Sequence, residues 1–102
     1  MTAVVATRTC FGRKPGEDCF PVIVEIGTPY KCKGDPETWA CPVRIEPFLD
    51  GVRDAYGVDS LQALCMAVYL VRKLLDGFCA EGGMLSCGHG DEFSNSPNLG
   101  SA

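Results

Sequence analysis

No catalytic signature occurs in this sequence, and the near misses show why. Gly82-Gly83 and Gly88-His89-Gly90 lead into no Gly-Lys-Ser/Thr, so neither is a phosphate loop. The paired acids Glu17-Asp18 and Asp91-Glu92 sit in turn-like segments and read as solvated. Cys87 and His89 are a Cys/His pair separated by a single glycine on Gly-rich backbone, with no third residue to orient them. No basic patch exists of the kind that holds a phosphate backbone, which argues against direct nucleic-acid binding. Met1 to Arg8 lacks a basic leader and a long apolar run. The longest apolar stretch contains Gln62, Arg72 and Lys73, short of the ~20 apolar residues that span a bilayer. A cytoplasmic protein that does not enter membranes is the expectation.

What is present describes one small domain. A chain of 102 residues holds a single core and is too short for two. Net charge is −4, unevenly placed. Residues 1–73 carry all nine basic groups and nine of the thirteen acids, and are neutral overall. Asp76, Glu81, Asp91 and Glu92 supply the excess, which suits a partner with a basic surface.

The clearest element is a helix beginning at Asp59. An aspartate there caps the first turn, and Gln62 three residues on completes a capping-box pattern. Val58 and Ala63 form a weak staple, and Gly57 allows a sharp entry. At 100° per residue, Leu64, Ala67, Val68, Val71, Leu74, Leu75 and Phe78 share one face. Gln62, Tyr69, Arg72, Lys73 and Asp76 lie opposite. The helix is expected to run past Gly77 and stop at Glu81-Gly82-Gly83. Its apolar arc, widened by Leu70, exceeds what burial on one sheet needs, so the flank around Met66 and Leu70 is a candidate partner surface.

Strand signals fill the first half. Ala3 to Phe11 favours extended backbone. In Cys19 to Ile26, Phe20, Val22, Val24 and Ile26 share a face, with Ile23 and Glu25 opposite. Gly27-Thr28-Pro29 interrupts this strand and Tyr30-Lys31-Cys32 extends it. Trp39, Cys41, Val43 and Ile45 alternate with Pro42, Arg44 and Glu46. Asp50-Gly51 is a tight-turn dipeptide, followed by Val52 to Tyr56, and Met84 to Cys87 is a short last strand. The expected fold is α+β: an antiparallel meander of three to five strands with one long helix on one face, in the order β-β-β-(β)-α-(β). Residues 1–93 form the domain and 94–102 a flexible tail.

Seven cysteines without a secretion signal read by default as reduced, small apolar residues. Cys10 with Cys19, and Cys32 with Cys41, share a spacing across predicted turns, so cross-strand disulfides are conceivable. A four-cysteine zinc site is disfavoured, because Cys19 and Cys32 lie about a dozen residues apart at ~3.3 Å each. Cys79, Cys87 and His89 are the remaining metal candidates, and their spacing matches no standard ligand pattern.

The segment from Cys41 to about Ser96 resembles an uncharacterised bacterial family of small α+β domains. The resemblance rests on Cys41-Pro42-Val43-Arg44-Ile45-Glu46, on Gly57-Val58-Asp59-Ser60-Leu61-Gln62-Ala63-Leu64, and on Met84 to Cys87 followed by Gly90-Asp91. It implies strands, a Gly-Val-Asp-x-x-Gln-Ala-Leu helix start and a short last strand, with no activity attached. Small folds of this type occur among immunity and inhibitor proteins, an association only. The leading expectation is therefore a non-enzymatic protein-binding module of the immunity or inhibitor kind, without cofactor. One version covers a basic, nucleic-acid-binding surface of its target. Met66, Leu70, Glu81, Asp91 and Glu92 are the candidate contact residues, and the partner is another protein or a second copy. The competing expectation is a zinc protein using Cys79, Cys87 and His89 or the hairpin cysteines.

Overall fold

The computed structural model describes residues 3–87. In chain order the elements are β1 (Val4–Arg13), β2 (Phe20–Gly27), β3 (Tyr30–Cys32), β4 (Asp35–Glu46), β5 (Val52–Gly57), α1 (Ser60–Ala80) and β6 (Met84–Cys87). The fold is α+β: one antiparallel sheet with the helix packed on it. Six strands are present because the break at Gly27-Thr28-Pro29 divides the second predicted strand into β2 and β3.

β4 is the axis of the sheet. Its second half pairs β2, with Val24 opposite Ile45, and its first half pairs β3, with Tyr30 opposite Ala40. Its other edge pairs β5, with Cys41 opposite Ala55. β1 adds to the far side of β2, and β6 adds to β1 across Cys10 to Arg13 only. β4 starts at Asp35, earlier than the alternation beginning at Trp39 implies. Pro21 lies beyond the β2–β4 pairing, which begins at Ile23, so its missing N–H interrupts no bond on that side.

The alternation decides which face is buried. Val22, Val24, Ile26, Cys41, Val43, Ile45 and Ala55 point to the helix and are buried. Ala63, Ala67, Val71, Leu75 and Phe78 return the contact from α1. Asp59 caps the helix, its carboxylate accepting from Gln62 N–H at 2.7 Å. The Gln62 side chain accepts from the Val58 N–H at 2.7 Å, one residue before the cap. The helix passes Gly77 and ends with Glu81 as its C-cap and Gly82 at φ +96°, as expected.

Two local readings change. Val58 is exposed and makes no staple. Gly57 is required by close approach rather than by a turn: a Cβ there would stand 2.4 Å from the Ala63 backbone nitrogen.

Candidate functional site

α1 lies mainly over β4 and β5, and less over β2 and β6. The first half of β1 is therefore uncovered, and Val4, Val5, Ala6 and Thr7 are exposed. Beneath this offset Val68, assigned to the core face by periodicity, is 45% exposed. Val68 and Val71 from the helix, Val24 and Ile26 from β2, and Ala6, Thr7 and Arg8 from β1 line an open apolar groove of about 200 Å³.

The outer backbone edge of β1 runs beside this groove. β6 covers it only from Cys10 to Arg13, and among the described residues no strand pairs its outer edge from Val4 to Thr9. A strand edge exposes a row of N–H and C=O groups to whatever extended chain can dock there. β1 is rich in valine and threonine, which suit that geometry.

A second concavity, about 320 Å³, opens at the far end of the helix. Lys14, Phe20, Phe48, Lys73, Leu74, Gly77, Phe78 and Glu81 line it.

The sheet face away from the helix carries polar pairs. Arg44 on β4 bonds Glu46 at 2.7 Å and Glu25 on β2 at 3.1 Å. The bond to Glu46, foremost, pushes the guanidinium pKa above its ordinary value. Tyr30 donates to the Asp54 carboxylate at 2.6 Å. That bond, then burial and the Asp54 charge, push the phenol up to about 12.

Of the predicted contact residues, Met66 and Leu70 lie one turn apart on α1 and Glu81 follows its last residue. Met66 is exposed, while Leu70 is half-buried and packs against the core, on the helix flank opposite Val68. Glu81 is the helix C-cap and lies at the second concavity. His89, Asp91 and Glu92 lie outside the described residues, as does the predicted tail from residue 94 onward. Cys79 is buried, and burial, with Asp76 second, raises its thiol pKa. A thiol held protonated is a poor ligand or nucleophile. Among the described residues no group of three or more His, Cys, Asp or Glu could hold a metal.

The hairpin pairings are corrected. Cys10 stands opposite Val22, not Cys19, and Cys19, Cys32 and Cys41 are free. The Cys41 thiol is buried and donates to the Gly27 carbonyl at 3.4 Å. Equal spacing across turns misled because the β1–β2 loop, Lys14 to Cys19, is centred later in the chain than a Cys10–Cys19 pairing requires, which sets Gly12 opposite Phe20. Cys10 is disulfide-bonded, so reduced thiols do not describe every cysteine. The groove residues Ala6, Arg8 and Val68 were missed, since no pattern in the sequence reports how far a helix sits to one side of its sheet.

A family model described as "Domain of unknown function (DUF6968)" matches residues 6–93. The chain belongs to that family. The match begins in β1 at residue 6 and so takes in the groove and the edge from Ala6 onward, well upstream of the Cys41 at which the sequence resemblance starts. No curated protein and no solved structure matches the chain. No helix among the described residues is long and apolar enough to cross a membrane.

Proposed function

We propose that this domain is a non-enzymatic protein-binding module that takes an extended segment of another protein as an added strand on β1. The observation that carries the reading is the outer edge of β1 beside the Val68 groove, which no strand among the described residues pairs from Val4 to Thr9. Added strands gain main-chain hydrogen bonds from the edge and specificity from alternate side chains seated beside it. Ala6, Val24, Ile26, Val68 and Val71 offer an apolar seat of that kind, so the segment would carry β-branched or aliphatic residues at alternate positions. Docking thus moves from the Met66 and Leu70 flank to the opposite flank of the same helix. An inhibitor or immunity protein is the form of this reading in which the bound strand belongs to the target. The acidic excess then suits a target with a basic surface. Bacterial origin, implied by the sequence resemblance, sets where the partner is sought. Free thiols beside a disulfide at Cys10 point to no single compartment.

The test starts with capture by the full chain, by Val68→Lys and by Tyr56→Lys on the other sheet face. A partner held by wild type and by Tyr56→Lys, and lost from Val68→Lys, is then reconstituted for amide exchange. Protection gained at Val4 to Thr9 on binding supports the proposal. Retention by Val68→Lys overturns it. So does an edge already protected in the free protein, which would mean that residues 88–102 occupy it.

A further inference from the structure

Three phenylalanines floor the concavity at the far end of the helix. Phe20 meets Phe48 and Phe78 edge to face, with centroids 6.2 and 5.7 Å away, and Phe48 lies 5.1 Å from Phe78. Three glycines surround these rings, and two have an evident reason. A Cβ on Gly12 would stand 2.8 Å from the Phe20 ring, and one on Gly83 would stand 2.5 Å from the Phe78 ring. Both glycines clear room for an aromatic side chain. The third, Gly77, clears room for no side chain among the described residues, since a Cβ there meets none of their atoms within 4 Å. Yet it sits inside α1, where glycine costs roughly 1 kcal/mol relative to alanine. The space it keeps open belongs to the concavity.

The rim is charged. Lys14 and Lys73 both line the opening, and neither has a carboxylate within 4 Å among the described residues. Lys73 leans over the Tyr69 ring at 5.8 Å. Glu81, the remaining charge, leaves the rim with one net positive charge. A volume of about 320 Å³ falls in the range of small-molecule sites.

We propose that this cleft binds a small aromatic monocarboxylate, its ring on the Phe20, Phe48 and Phe78 floor against Gly77 and its carboxylate between Lys14 and Lys73. Edge-to-face floors favour a ring over an aliphatic chain, because ring edges and faces are complementary in charge. Two ammonium groups with one carboxylate favour an acid over a neutral or cationic ligand. The site is separate from the β1 edge and stands whether or not that edge docks a partner.

The probe is 1-naphthoate, titrated into the isotope-labelled full chain and followed by NMR, with 1-naphthalenemethanol as the neutral comparison. The expected result is saturable shifts at Lys14, Gly77 and Phe78, with the acid bound roughly tenfold more tightly than the alcohol. Lys14→Gln/Lys73→Gln should erase that preference and keep the alcohol's affinity. Gly77→Ala should weaken both ligands roughly tenfold, a methylene-sized intrusion into an apolar pocket, while its Tm rises. No saturable binding, shifts centred on Val68 and Val71 instead, or unchanged affinity in Gly77→Ala each overturn the proposal. A lower Tm in Gly77→Ala also overturns it, by giving the glycine a purely structural reason.

Discussion

Tyr30 is where a single side chain most clearly departs from its ordinary chemistry. Its hydroxyl donates to Asp54 across the sheet, and ionising it would lose that bond and set two negative charges together. The folded state therefore holds this proton more tightly than the unfolded chain, where a tyrosine ionises near 10. The stabilisation is complete below pH ~10 and is lost as pH rises through about 12. Ultraviolet titration of tyrosinate should show Tyr30 ionising at lower pH in Asp54→Asn than in the wild type. Superimposable titration curves for the two proteins would contradict this. Gly57 makes a different kind of demand. An added methyl would collide with helix backbone, which cannot rotate away as a side chain can. Gly57→Ala should cost about 1–3 kcal/mol of unfolding free energy, the range for overpacking, in denaturant titration. A loss under ~0.5 kcal/mol would mean that the helix start shifts freely.

At the scale of elements, the start of α1 was legible because capping is local: Asp59 and Gln62 lie three residues apart and need no knowledge of the sheet. Asp59→Ala should destabilise by about 1 kcal/mol, measured the same way. Leu75, fully buried where helix meets sheet, should cost about 2–5 kcal/mol as alanine. Strand alternation was equally readable, and it assigned Val43 and Ile45 to the core and Arg44 to the open face. Register was not readable. Cys10 faces Val22 because of where the β1–β2 connection is centred, and the pairing of Arg44 with Glu25 depends on two strands fixed independently. Val68 shows the limit most plainly. Its helical phase is that of a core residue, but burial requires a strand beneath it, and the helix lies to the β5 side. The candidate groove exists because of that offset, so no one-dimensional pattern announces it. Gly77 is the converse case: visible in the sequence as a second stop signal, it is helical and opens onto a cleft.

At the scale of the molecule, the described residues form one core closed by α1, and the cysteines sample both sides of that closure. Cys41 lies under the helix on β4 and Cys79 on the helix itself, both buried, and burial is the main cause raising both thiols. Cys19 and Cys65 are exposed. A thiol reacts as thiolate, so a buried, protonated one is silent until the structure opens. Iodoacetamide at neutral pH should therefore modify Cys19 and Cys65 in the native protein. Cys41 and Cys79 should wait for unfolding. The informative comparison is between those two. If sheet and helix form one cooperative unit, as small single-core domains usually do, both cysteines open with the same free energy. Leu75→Ala would then accelerate both by the same factor, tenfold for each ~1.4 kcal/mol lost, as read by peptide mass spectrometry. Modification of Cys79 well before Cys41 would mean that the C-terminal end of α1 detaches while the sheet persists. The shared core predicts otherwise, because Val71, Leu75 and Phe78 complete the same cluster that holds Cys41, Val43 and Ile45.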